Sequence, residues 1–246
     1  MDKTSCGGAT LPGSRAILFD ISGPVGAVGV ALDGRMAGRA ELEARSHGSR
    51  LLPTMARVLA EAGIEMPEVT DIVVGEGPGS FTGLRVAAAT AKGLARALDA
   101  RLWPVSSLAA AALGCTGARA ARYVLFDARK DRVFGGCFSE IERRWLIPPH
   151  AGTVREALRR PPPREARFCG DGALRHADLV AEAGFEVLPP PAGVPSVDGL
   201  LRFLELDGGG TTGTSPHAPL EPVPPASWEP RYLRPWRAQR PRTPDS

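Results

Sequence analysis

Residues 16–32, AILFDISGPVGAVGVAL, read as a buried strand, a Gly-Pro turn and a second strand; 107 positions later, residues 123–139, YVLFDARKDRVFGGCFS, repeat the pattern. In both, an apolar run ends on an aspartate, Asp20 or Asp127, and the strand that follows is built of small and apolar residues. Short continuous apolar runs bounded by turn residues are the mark of strands covered on both faces. An internal duplication accounts for the echo and predicts two lobes of related fold. Two unrelated β-hairpins would give the same local pattern.

Working outward from the first copy, RMAGRAEL (35–42) follows an Asp-Gly turn and alternates as a third, more exposed strand. From 48 to 62 the apolar spacing becomes helical, with Leu51, Leu52, Met55, Val58, Leu59 and Ala62 on one face. DIVVG (71–75) is a fourth strand and 83–98 a second helix. Three strands, helix, strand, helix is the order of a ribonuclease-H-like half domain, which places the chain in the α/β class. After Arg122 the pattern restarts, with shorter helices expected at 153–160, 173–183 and 197–206. The expected organisation is a first lobe over 15–114 and a second over 115–234, the latter containing a flexible Gly/Thr linker at 207–215. The ends, 1–14 and 235–246, are expected to be disordered.

Composition agrees with a packed protein. The 246 residues are 43% hydrophobic, enough for a sizeable core, while Gly 29 and Pro 24 promise generous loops. No run of eighteen apolar residues occurs, which argues against a membrane span. The formal charge is +3, and residues 227–246, with five Arg against Glu229 and Asp245, carry all of it, so the body is neutral by count. Weak tRNA binding by the chain alone is the expectation, because five cations at one end do not make a dedicated binding stripe. Cys6, Cys115, Cys137 and Cys169 form no CxxC, and MDKTSCGGAT lacks an apolar core for a secretory signal. Reduced thiols in a cytoplasmic protein are the expectation.

The chemistry is concentrated in GEGPGSFTGLR (75–85), between a strand and a helix. Its glycines, Gly77 and Gly79 among them, permit a tight path, Ser80 or Thr82 can cap the helix, and a helix start offers N–H groups to an anion. The loop has no lysine, so it is not a P-loop, and Pro78 and Thr82 break the GxSxG pattern. A rigid turn packing two elements together is the plainer reading. Asp20 and Asp127, each at a strand end, are candidates for holding a hydrated cation near phosphates, as in actin-like ATPases. Neither is followed by a phosphate-gripping turn: Asp20 leads into ISGP and Asp127 into ARKD, where Arg129 and Lys130 reach an anion or simply face water. Asp20, Gly77, Gly79, Ser80 and Asp127 are thus weak cofactor-binding candidates, and no catalytic set is complete. His47, His150, His176 and His217 are isolated, so no metal site is expected.

The segments ILFDIS (17–22), SHGSRLLP (46–53), GEGPGSFTGLRVAAATAKGLA (75–95), VLFDARKDRVF (124–134) and PRYLR (230–234) together resemble the TsaB (YeaZ) family. These are the partner subunits of the bacterial enzyme that makes N6-threonylcarbamoyladenosine (t6A) at position 37 of tRNA. The resemblance implies a two-lobed actin-like/Hsp70-like (ASKHA) fold and a non-catalytic scaffold or activating role. It implies pairing with the transferase TsaD through the helices of the first lobe, with the ATPase TsaE joining, and possible homodimers in isolation. The substrates would be tRNAs reading codons that begin with A, reached mainly through the complex. No cofactor is required by this chain; ATP and a metal ion serve the partner subunits. For the interface the helices offer Leu52, Met55, Leu59, Arg85, Ala87, Ala91 and Leu94. The family's usual DTS or DTA is Asp20-Ile21-Ser22 here, which weakens a phosphate role for that turn. The alternatives of a different class are a nucleotide-dependent enzyme of the actin-like superfamily and a peptidase-like protein.

Overall fold

β1 (Arg15–Asp20) explains its own apolarity: Ala16 and Leu18 face one core while Ile17 and Phe19 face another, and all four are buried. The computed structural model describes residues 13–43, 47–114, 121–160, 162–206 and 221–233. In the first lobe β1 is followed by β2 (Gly26–Leu32), β3 (Arg35–Leu42), α1 (His47–Glu61), β4 (Asp71–Gly75), α2 (Phe81–Leu98), β5 (Arg101–Val105) and α3 (Ser107–Leu113). Its sheet has the order β3-β2-β1-β4-β5, with β1 antiparallel to β2 and parallel to β4. The second lobe holds β6 (Arg122–Asp127), β7 (Arg132–Ser139), β8 (Arg144–Thr153), α4 (Val154–Leu158), β9 (Arg167–Cys169), α5 (Asp171–Arg175), α6 (Ala177–Glu182) and α7 (Val197–Glu205). Its sheet order, β8-β7-β6-β9, repeats the first four positions, and Val187 bridges Phe168 in parallel where a fifth strand would lie.

The expected duplication and the two-lobed α/β architecture are therefore both present, with one adjustment of register. Asp20 pairs with Ala27, whereas Asp127 pairs with Val133, so the second hairpin is one residue tighter than the ungapped 107-residue shift implies. The tighter turn places Arg129, Lys130 and Asp131 at φ 62, 52 and 55, three consecutive left-handed residues.

Five layers share three cores, the middle one spanning both sides of the central helix layer. α1 and α2 cover the outer face of the first sheet; α4, α5 and α6 cover the outer face of the second. Between the sheets lie α3 and α7, paired so closely that a Cβ on Gly199 of α7 would overlap the Ala110 carbonyl of α3. They are exchanged: α7, from the second lobe, packs on β1 and β2 of the first sheet, while α3 packs on β6 and β7 of the second. Residues 221–233, grouped with the second lobe from the sequence, also return to the first. Val223 bridges Leu102 of β5, and Trp228 is buried in the core beneath α1 and α2. The described residues contain no helix long and apolar enough to cross a membrane.

The sequence reading differs elsewhere for physical reasons. β5 and β8 carry proline, which edge strands tolerate because one side of the ladder is unpaired. α3 is buried on every side, so it has no polar face to reveal a helical period. The helix expected at 173–183 breaks at His176 into α5 and α6. That expected at 153–160 is short, ending as Arg160 meets the proline run. The 207–215 linker, the basic tail and the first twelve residues of the amino-terminal extension lie outside the described residues. Gly13 and Ser14 do not: the Gly13 amide donates to Asp33 Oδ1 (2.8 Å), and Ser14 is buried.

One hydrogen-bonded pair in the second lobe gives a pH-dependent expectation. His150 Nδ1 lies 3.1 Å from the Pro148 carbonyl, which favours the proton on Nδ1, and Nε2 lies 3.3 Å from the buried Tyr123 hydroxyl, whose own acceptor is the Ala157 carbonyl at 3.3 Å. Burial pushes the imidazole below its usual pKa of 6.5, and the Arg160 cation adds to this against the Pro148 hydrogen bond. A histidine depressed on folding contributes stability that is full above the unfolded pKa and lost as pH falls through the folded one. Thermal melts from pH 7.5 to 5 should show a decline that is shallower in His150→Asn; parallel curves would assign the acid response to other groups.

Candidate functional site

β4 ends at Gly75 because no larger residue fits: a Cβ there would collide with the Asp20 carboxylate. The chain then turns through Glu76–Ser80 and enters α2. Gly77 sits at φ 97, a conformation open to glycine, with a hypothetical Cβ 2.9 Å from Leu84 Cδ1. Gly79 lies against Ser22, where a Cβ would come within 2.6 Å of the serine Cβ, and Gly83 lies against the Ile21 carbonyl.

The loop is held from three sides. From the turn after β1, the Ser22 carbonyl accepts from the Ser80 amide (2.8 Å). From α3, Ser107 Oγ accepts from the Gly77 amide (3.0 Å), and the Ser107 amide donates back to the Gly77 carbonyl (2.9 Å). From the carboxyl-terminal segment, the Arg231 amide donates to the Glu76 carbonyl (2.9 Å). Ser80 caps α2, its hydroxyl accepting from the Gly83 amide at 3.3 Å. The amides of Gly77, Ser80, Gly83 and Leu84 thus all have acceptors within the protein, and the loop's shape is that of a packed joint. Glu76 is buried; desolvation raises its carboxyl pKa, partly offset by the Arg231 cation and the Trp228 indole.

The five weak cofactor candidates separate into two places. Asp20, Gly77, Gly79 and Ser80 belong to this joint, with Asp20 buried and its Oδ1 accepting from the Ser22 amide (2.8 Å). Asp127 lies in the second lobe, where Oδ1 accepts from the Arg129 amide (2.8 Å) and Oδ2 pairs with Arg175 (3.0 Å). Arg129 and Lys130 are exposed. Among the described residues no group of three or more His, Cys, Asp or Glu side chains is placed to hold a metal ion. Cys137 and Cys169 are buried, and burial pushes the Cys137 thiol up to about 12; Cys6, Cys115 and His217 lie outside the described residues.

The interface candidates need correction. Met55, Leu59, Ala87 and Ala91 are at most 2% exposed, packed by α1 and α2 onto their own sheet. Leu52 and Arg85 are exposed and Leu94 is half-buried. Helical periodicity identifies an apolar face but not which body it packs on. The residues missed are Phe81 and Tyr232, 42% and 41% exposed, with ring centroids 5.5 Å apart. Arg85 lies over the Phe81 ring at 5.5 Å. Phe81 read as loop because α2 begins two residues earlier than its apolar period, and Tyr232 is 151 positions away in sequence. Together they extend the outer surface of α2 with an aromatic pair.

Comparison with known proteins bears on this geometry. The family model for TsaD, tRNA N6-adenosine threonylcarbamoyltransferase, matches residues 40–167, just over half of the chain. A protein of Escherichia coli K12 named tRNA threonylcarbamoyladenosine biosynthesis protein TsaB is 28% identical over 89% of this chain and 94% of its own length. The Haemophilus influenzae protein of the same name is 39% identical over 42% of this chain, a match spanning 43% of that relative's length. Among solved structures, a Pseudomonas aeruginosa protein described as uncharacterized with similarity to peptidase YEAZ superposes with a TM-score of 0.71 at 27% identity. That superposition covers 90% of this chain and all of the other. The two-lobed fold and these likenesses agree: the chain belongs to the TsaB/YeaZ family, within the wider family that the TsaD model describes.

Proposed function

We propose that this chain is a partner subunit in the formation of N6-threonylcarbamoyladenosine on tRNA, pairing with a TsaD-type transferase through the first lobe and doing no group transfer itself. The carrying observation is the near full-length likeness to a protein named for threonylcarbamoyladenosine biosynthesis. The joint at 75–85 supports the architectural part of the reading. Gly75, Gly79 and Gly83 use their small size for contact with Asp20, Ser22 and Ile21, where a phosphate-binding turn would need open space. In this reading TsaE joins the assembly, ATP and a metal ion act in the partner subunits, tRNA is reached through the complex, and the setting is cytoplasmic.

Reconstitution tests it. Alone, the protein should leave tRNA unmodified when given threonine, bicarbonate and ATP. With TsaD, TsaE and an adenylate-forming partner, modification should appear and depend on this chain. Ser80→Ala should cost about 1 kcal/mol of stability as a lost cap and leave assembly and modification intact. Transfer by the isolated chain would refute the reading, as would a Ser80→Ala variant that binds TsaD normally but supports no modification.

A further inference from the structure

The two outer helices of the first lobe hold a charge that the whole-chain balance conceals. α1 and α2 contain Arg50, Arg57, Arg85, Lys92 and Arg96 against a single carboxylate, Glu61. Glu61 is taken by Arg57 at 2.6 Å along the same helix. Arg50, Arg85 and Arg96 are exposed and make no ion pair among the described residues. With the body of the protein neutral by count, these helices form a basic face on an otherwise slightly acidic body.

The same two helices also expose apolar surface. Leu52 is 50% exposed on α1, and Phe81 with Tyr232 forms the aromatic pair at the start of α2. Ala89, Gly93 and Ala97, one helical turn apart along α2, are exposed, and a Cβ on Gly93 would meet nothing within 4 Å. Apolar anchors with dispersed cations suit a protein partner, in which burial supplies affinity and charge supplies selection. A polynucleotide groove would instead line up cations along a phosphate track.

We propose that the outward face of α1 and α2 docks a protein surface of net negative charge, and that the same cations keep two copies of this chain from pairing through that face at low ionic strength. A two-fold pairing of identical faces sets each basic helix pair against its own like. This rests on the partner reading above and specifies the chemistry that the partner must offer: an acidic surface opposite Arg85 and Arg96. The two associations then respond to salt with opposite sign. Screening weakens the heterologous pairing and strengthens the homologous one.

The experiment uses the full chain and the TsaD-family transferase of the same genome. Affinity is measured at 50 and 500 mM NaCl, and self-association of the chain alone is followed by sedimentation at both. Affinity for the transferase should fall by about tenfold or more across that range, and Arg85→Glu/Arg96→Glu should cause a loss of the same order at low salt. Self-association should be weaker at 50 than at 500 mM NaCl. Circular dichroism confirms that the double variant is folded, both sites being exposed. A transferase complex indifferent to salt and to charge reversal would overturn the inference, as would a wild-type homodimer that tightens at low salt. It would equally fall if the double variant lost binding to a tRNA transcript while binding the transferase normally, since the face would then serve RNA. Absence of any transferase complex at either salt refutes the pairing reading instead, and the salt response of self-association then decides the charge inference by itself.

Discussion

Ala91→Glu should unfold the protein rather than merely cost it a partner. Ala91 is 0% exposed, lying beneath α2 on the apolar face of the first sheet among Ile17, Phe19 and Val74. A carboxylate there has no water and no cation within the core, and the added volume has no cavity to fill, so the expected loss is several kcal/mol. Cooperative melting should disappear or shift far below that of the wild type. Ala89→Glu, on the exposed side of the same helix two residues away, should leave the melt within about 0.5 kcal/mol of the wild type. A stable, cooperatively folded Ala91→Glu protein would mean that α2 does not sit on the sheet with this face.

The second large effect is expected at Gly199→Val, in the joint between the lobes. The α3/α7 crossing brings the Ala110 carbonyl within van der Waals overlap of any Cβ at Gly199, and the Gly114 amide lies 2.9 Å from the same point. Relief would require α7 to move off α3, opening the core that both sheets share through Leu18, Val124, Leu200 and Phe203. Loss of about 4 kcal/mol or more is expected, in the range reserved for disrupted cores. Guanidinium titration would measure it, and because both lobes use this core, tryptophans on either side should report one shared transition: Trp103 in the first lobe and Trp145 in the second. Separate transitions for the two lobes would show that the crossing is not the element uniting them.

The strands at 15–42 were legible because buried strands write themselves as apolar runs ending in turn residues, and β3 and β4 coincide with the segments read at 35–42 and 71–75. The joint at 75–85 was visible as an unusual density of glycine, though only the close contacts with Asp20, Ile21, Ser22 and Leu84 explain why each glycine is there. Less legible was everything that depends on long-range placement. The periodicity of α1 and α2 named seven interface residues, yet the inner ones serve the protein's own sheet, since burial looks the same in sequence whichever surface provides it. α3 escaped notice because burial on all sides erases amphipathic contrast. The Phe81–Tyr232 pair was beyond reach, as nothing in either local sequence refers to the other.

The exchange of α3 and α7 between the sheets, with residues 221–233 laid back on the first lobe, also bears on how the chain is made. The first sheet leaves the ribosome early, but its inner face waits for α7, more than sixty residues after the second sheet begins, and its outer core waits longer still for Trp228. Ala16, Leu18, Ala27 and Ala31 belong to the core that α7 completes. Amino-terminal domains ordinarily mature while synthesis continues; here the amino-terminal half is completed by nearly the last described residues. The inner face of the first sheet is therefore synthesised well before the helix that covers it, so the packing of either sheet depends on an element contributed by the other lobe.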